Sequence, residues 1–197
     1  MRFNTKSLNK KLRTEELAIE AQAGDRIAMN LLLERWYPRI YHFVLRNIFN
    51  DVEAREVSQQ TMSSVFKNIG GLRDVSKFKF WIYRIARNEC HTFHRKQRRF
   101  YSLETEQVQS MESLESSVED SIIQRERRDN VIAALRKIPG KQREVVVMKV
   151  YEDLKFHEIA EILDISENTA KSRMYYGLTA LKKQLLKSPT IKETYYE

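Results

Sequence analysis

Apolar residues recur at helical spacing through most of this chain. Leu31, Leu32, Trp36, Ile40, Phe43 and Val44 follow one another at intervals of one, three or four, the stripe that a core-facing helix needs. That helix begins at Arg26. Residues 17–23 form a helix before it, closed by Gly24, and Asp25 is a suitable cap between the two. Pro38 interrupts the stripe and is expected to bend the helix. A third helix starts after Asp51 and runs to Ile69, where Gly70 and Gly71 stop it. Residues 72–77 read as a loop, and a long helix follows from Phe78 to Arg99, with Ile82, Ile85, Ala86 and Phe93 on its inward face. Of the aromatic residues that open it, Phe78, Phe80, Trp81 and Tyr83, most are expected in the core, with Trp81 buried. Exposed members would be able to stack on flipped bases.

The last third repeats the helical spacing on a smaller scale. Phe156-His157-Glu158-Ile159-Ala160-Glu161-Ile162-Leu163 is a short amphipathic helix, Asp164-Ile165-Ser166 a tight turn, and Ser166 a good N-cap for the helix that begins at Glu167. Inward positions in that helix are Ala170, Met174, Leu178, Leu181 and Leu185, which leaves Asn168, Lys171, Ser172 and Tyr175 outward. Two helices joined by such a turn, the second opening in small polar and basic residues, form the helix-turn-helix pattern. The plainer alternative is an ordinary helical hairpin.

Composition adds the fold class. The chain has 197 residues with only 5 Gly and 3 Pro, and its runs of Leu, Ile, Ala, Glu, Lys and Arg are those of packed helices, so an all-α protein is expected. Charge divides it. Residues 1–100 carry 20 Lys/Arg against 10 Asp/Glu, residues 101–130 carry 3 against 8, and residues 131–197 carry 12 against 9. The Ser- and Glu-rich stretch in the middle cannot bury enough surface to offset its ordering entropy. Two small helical domains, 1–100 and 121–197, are therefore expected on either side of a flexible acidic linker, 101–120. The net charge of +8 suits an anionic partner. Cys90 is the single cysteine, which excludes an internal disulfide and fits a reducing compartment. With no apolar run fit for a signal peptide or a membrane span, the protein is expected in the cytoplasm, without membrane insertion.

Candidate chemistry concentrates on the long helix. Arg84, Arg87, His91, Arg95 and Arg98 recur at intervals of 3, 4, 4 and 3 and share one face. This ridge spans ~20 Å at about 1.5 Å per residue, enough to follow phosphates spaced about 3.4 Å apart along one DNA strand. Arg73, Lys77 and Lys79 just before it strengthen the nucleic-acid reading over a merely solvated face. Cys90 and His94 lie four apart, but no second Cys/His cluster would complete a zinc site, and no metal or other cofactor is expected. The sequence contains no nucleophile–base set, Gly-rich phosphate loop or paired-carboxylate motif, so an enzyme is not expected.

Taken in order, Asp51-Val52-Glu53-Ala54-Arg55-Glu56-Val57-Ser58-Gln59-Gln60-Thr61, Phe78-Lys79-Phe80-Trp81-Ile82-Tyr83-Arg84-Ile85-Ala86-Arg87-Asn88, Ile138-Pro139-Gly140-Lys141-Gln142-Arg143-Glu144-Val145, Glu158-Ile159-Ala160-Glu161-Ile162-Leu163 and Thr169-Ala170-Lys171-Ser172-Arg173 resemble an extracytoplasmic-function sigma factor of the sigma-70 family over residues 17–186. The resemblance implies a helix bearing Asp51, Glu53, Glu56, Gln59 and Gln60 that docks on the β′ clamp helices of core RNA polymerase, with the β flap as a further contact. It implies a −10 element surface made by Arg73, Ser76, Lys77, Lys79, Arg84, Arg87, Asn88, His91 and Arg95. It implies a −35 reading helix using Asn168, Thr169, Lys171, Ser172, Arg173, Tyr175 and Tyr176, an acidic linker lying in the channel that RNA later fills, and an anti-sigma partner. The free protein is expected to be a monomer. Three stretches depart from the family pattern. Gln60 stands where glutamate is usual, Tyr176-Gly177-Leu178 replaces a more basic stretch, and Asp74 and Val75 replace a glycine-containing loop. The −35 affinity then leans on Lys171 and Arg173, and the −10 base preference does not carry over.

Two other classes of function compete. A polymerase-independent repressor would normally dimerise to read two half-sites, and no dimerisation segment stands outside the two domains. An adaptor binding an acidic protein would not depend on Lys171 and Arg173. A length argument favours dependence on polymerase. Promoter elements separated by roughly 16–17 base pairs lie about 55 Å apart. A 20-residue flexible linker averages about 25 Å end to end and reaches ~70 Å only when fully extended. Gel-shift titrations are expected to show weak, salt-sensitive promoter binding by the protein alone and specific binding only with core polymerase. Tight specific binding without core would count against the reading.

Overall fold

The computed structural model describes residues 12–101 and 122–187, and every regular element within them is a helix. The α-helices are α1 (Thr14–Gln22), α2 (Arg26–Ile48), α3 (Asp51–Asn68), α4 (Phe78–Tyr101), α5 (Ile122–Lys137), α6 (Gly140–Val150), α7 (Phe156–Leu163) and α8 (Glu167–Leu185), with 3₁₀ turns at Ile69–Gly71 and Val75–Lys77. The chain divides into two compact units, Met1–Val44 with Val52–Thr105 and Leu45–Asp51 with Glu106–Glu197. Apart from Tyr101 at the end of α4, the expected linker lies outside the described residues.

In the first unit the joint between α1 and α2 follows its sequence signals. Gly24 takes φ +95°, a conformation without penalty only for glycine, and the Asp25 carboxylate accepts from the amides of Ile27 (2.7 Å) and Ala28 (3.1 Å). The stripe on α2 is buried throughout: Leu31, Leu32, Trp36, Ile40, Phe43 and Val44 are at most 3% exposed. Pro38 does not end this helix, which continues unbroken to Ile48. Trp36 meets Phe78 edge-on at 5.6 Å and Tyr83 at 6.1 Å, and Phe43 meets Tyr83 at 5.3 Å. Each such pair adds about 0.5–1.5 kcal/mol beyond the area it buries. This cluster locks α4 onto α2. The Gln22 side-chain amide donates to the carbonyls of Ile69 (2.9 Å) and Leu72 (2.7 Å), tying α1 to the turn that aims α4.

Phe78 and Tyr83 are buried as expected, but Trp81 is only half-buried, as are Phe80, Ile85 and Phe93. The buried line on α4 runs Phe78, Ile82, Ala86, Cys90, with Tyr83 beside it. Trp36 fills the centre of the unit, and Trp81 sits at the margin of that line with its ring 5.9 Å from Phe78.

The second unit packs α5, α6, α7 and α8 around Leu135, Ile138, Val145, Val146, Val147, Met148, Leu154, Ile159, Ile162 and Leu163. In α8 the buried residues are Ala170 and Gly177, with Met174 and Leu181 partly buried, so its inward line is 170, 174, 177, 181. Leu178, expected inward, is 44% exposed, because it lies at the edge of that line, about 100° round the helix from Gly177. Gly177 is there for space. A Cβ on it would stand 2.7 Å from Val146 Cγ2 and 3.4 Å from the Gln142 carbonyl oxygen on α6.

Gly177→Ala is therefore expected to destabilise the second unit by about 1–3 kcal/mol of overpacking, despite a gain of about 1 kcal/mol in helix propensity. Val146→Ala in the same chain should recover part of that destabilisation in thermal unfolding. Additive effects in the double variant would refute the close crossing.

Candidate nucleic-acid interfaces

The turn between α7 and α8 places the exposed end of α8. Asp164 closes α7 in the left-handed region (φ 54°, ψ 54°), one that aspartate tolerates better than most residues. The Ile165 amide returns to the Ala160 carbonyl at 3.1 Å. Ser166 is extended, and its hydroxyl accepts from the Thr169 amide at 3.1 Å while lying 2.8 Å from the Thr169 hydroxyl. On the first turns of α8, Asn168, Lys171, Ser172, Tyr175 and Tyr176 are exposed, Thr169 and Arg173 are half-buried, and Ala170 is buried. The rings of Tyr175 and Tyr176 meet edge-on at 5.6 Å. This is the geometry of a reading helix: a capped N-terminus with donors on one side and a thin apolar seam on the other.

Lys171 is not a bare cation. Its Nζ lies 2.7 Å from Glu167 Oε1 and 6.0 Å from the centre of the Phe156 ring. The hydrogen bond from Lys171 holds the Glu167 carboxyl below the usual carboxylate range. Glu167 is not among the residues expected at the site, although Glu at i and Lys at i+4 is the more favourable order on a helix and is legible in the sequence.

On α4, Arg84, Asn88, His91, Arg95 and Arg98 are exposed and Arg87 is half-buried, so the cationic ridge is present and recessed at its second member. Before α4, Arg73, Ser76 and Lys77 are exposed, and Lys79 in the first turn of α4 is half-buried. Asp74 organises this loop: its Oδ1 accepts from the Ser76 hydroxyl (2.6 Å) and amide (3.0 Å), bonds that keep its carboxyl below the ordinary value. The Ser76 hydroxyl is thus engaged within the loop. An Asp two residues before a Ser signals this turn in sequence.

On α3, Glu56, Gln59 and Gln60 are exposed, whereas Asp51 and Glu53 are half-buried. The Gln60 side-chain amide donates to the Glu56 carboxylate at 3.0 Å; a glutamate at 60 would instead oppose like charge at i,i+4. Val52 (65% exposed) and Phe66 (55%) extend this outward face and were not singled out in sequence, where the outward spacing 52, 56, 59, 60, 66 marks them. Cys90 is buried, and among the described residues no three His, Cys, Asp or Glu side chains gather as metal ligands. No helix among them is long and apolar enough to cross a membrane.

Fold and faces together define a two-unit helical DNA-binding protein with a helix-turn-helix in the second unit. The sigma-70 region 2 family matches residues 32–100, and the sigma-70 region 4 family matches residues 128–181. The chain is 31% identical over 175 residues to the ECF RNA polymerase sigma factor SigW of Bacillus subtilis, covering 84% of this chain and 93% of that one. It is 26% identical to the ECF RNA polymerase sigma-E factor of Escherichia coli, over 85% and 92% of the two chains. Among solved structures, the sigma factor RpoE of Bartonella quintana, in complex with the anti-sigma factor NepR, shares the fold with a TM-score of 0.68 at 20% identity, over 79% of this chain and 95% of that one. The protein belongs to the sigma-70 family, in its extracytoplasmic-function branch. It is an RNA polymerase sigma factor, a promoter-recognising initiation factor rather than an enzyme.

Ser166→Ala removes the α8 cap and is expected to cost about 1 kcal/mol of second-unit stability, with Ser166→Asp retaining most of it. Thermal unfolding of the three proteins checks this, and equal stability of the alanine and parent chains would show the cap to be idle.

Proposed function

We propose that the two units divide promoter recognition between them. In the second, Asn168, Thr169, Lys171, Ser172, Arg173, Tyr175 and Tyr176 on α8 meet base edges and phosphates of the −35 element in the major groove. In the first, the cationic ridge of α4 and the loop before it hold the −10 element, through Arg73, Ser76, Lys77, Lys79, Arg84, Arg87, Asn88, His91 and Arg95. The outward face of α3, with Asp51, Glu53, Glu56, Gln59 and Gln60, docks on the β′ clamp helices, and the second unit reaches the β flap. Domain limits at 1–100 and 121–197, joined by the acidic stretch between, suit this division. The protein works in the cytoplasm and is a monomer when free. An anti-sigma factor is its regulator, a reading supported by the RpoE neighbour, which was solved with the anti-sigma factor NepR.

One observation carries the reading. α8 buries its two smallest inward residues, Ala170 and Gly177, and exposes Asn168, Lys171, Ser172 and Tyr175 beyond a satisfied N-cap. Replacing Lys171 and Arg173 together by alanine is expected to lower run-off transcription from a −35-dependent promoter by 10-fold or more, since each side chain that meets a base edge is worth about 1–3 kcal/mol. Capture of core polymerase by the variant should be unchanged. Undiminished transcription would exclude α8 as the reading helix.

A further inference from the structure

Glu167 occupies the first position of α8 and carries a carboxylate on that turn's exposed face. Its Oε1 holds Lys171 Nζ at 2.7 Å, and both side chains are about half exposed, 45% and 52%. Phe156 backs the ammonium from α7, its ring centre 6.0 Å from Lys171 Nζ and 5.7 Å from Lys149 Nζ. The lysine is therefore held along its own helix, against a carboxylate and an aromatic face, before any DNA arrives.

A phosphate approaching this turn meets a neutralised pair. Sequence-independent binding to DNA comes from cations that replace condensed counterions, and a lysine already paired to a carboxylate replaces none unless the pair opens. Opening it leaves Glu167 unpaired beside a polyanion. That cost is offset only where the groove supplies further contacts, which a correct sequence does and an arbitrary one does not.

We infer that Glu167 is a specificity-determining positioning residue, which restrains Lys171 and thereby suppresses non-specific DNA binding by α8 more than promoter binding. The inference rests on the reading of α8 as the −35 helix and goes beyond it by assigning a role to a residue that need not touch DNA.

The test uses the full chain with Glu167→Gln, Lys171→Gln and the double substitution, all checked for parental helicity by circular dichroism. Affinity for a random-sequence duplex is measured across a salt series, and promoter selectivity is measured as holoenzyme transcription against excess competitor DNA. Glu167→Gln should raise random-duplex affinity about 3- to 10-fold and steepen the log–log salt dependence by about one unit, the value of one added phosphate contact. Selectivity should fall by a similar factor. In the Lys171→Gln background the same substitution should leave the salt slope unchanged. An unchanged slope for Glu167→Gln, or an equal effect with and without Lys171, overturns the inference while leaving the −35 reading intact. If Lys171→Gln itself alters neither duplex binding nor transcription, the −35 reading fails and the inference falls with it.

Discussion

The second helix of a helix-turn-helix has to be held firmly by one side and left bare on the other, and the crossing of α8 over α6 is where this chain meets that demand. Its buried residues there are an alanine and a glycine. At position 177 a Cβ would come within 2.7 Å of the Val146 side chain, so the glycine is what lets α8 sit against α6 there. A thin seam uses little of the circumference of α8. The rest is left for Asn168, Lys171, Ser172, Tyr175 and Tyr176, all exposed. The Ser166 cap then takes the Thr169 amide of the first turn without any group borrowed from DNA.

The first unit solves a related problem with bulk. Its long helix must present a cationic face without being drawn into the core, and Trp36, Phe43, Phe78 and Tyr83 fix its rotation by packing edge to face. A helix held by large aromatic groups along one line leaves Arg84, His91, Arg95 and Arg98 on the opposite surface. The Gln22 bonds to Ile69 and Leu72 and the Asp74 bonds to Ser76 act at the other end, shaping the loop from which α4 departs.

Much of this is legible in the chain, for physical reasons. The stripe from Leu31 to Val44, the Gly24–Asp25 joint and the Asp164–Ser166 turn are local signals, and the structure has them where the spacing puts them. What local signals do not reach is whatever depends on a partner helix. Trp81 is a large aromatic and on that ground is expected in the core, yet Trp36 from another helix is buried and Trp81 is only half-buried. Leu178 is the apolar residue at i+4 from Met174 and so reads as inward, but the inward line follows the glycine beside it, and hydrophobicity does not mark a glycine as a packing residue. The same bias makes Tyr176-Gly177-Leu178 look like a stretch deprived of basic residues. Its glycine is a packing requirement, and the tyrosines are its exposed flank. Glu167 carries no positive charge and so stands outside a set of residues chosen for anion contact, although it is paired with Lys171 at 2.7 Å.

The distribution of charge makes that last point general. Residues 1–100 carry twice as many Lys and Arg as Asp and Glu, 20 against 10, whereas residues 131–197 carry 12 against 9. The steepness with which DNA affinity falls with salt follows the number of phosphates neutralised, so the first unit has the means for strong, indifferent attraction and the second does not. A reading domain of small net charge gains little from any duplex and has more to gain from the right one. Its own affinity can stay low if a tether and a larger assembly supply the local concentration. On the proposed reading, then, the small net charge of residues 131–197 favours selectivity, and a carboxylate beside the principal lysine acts in the same direction.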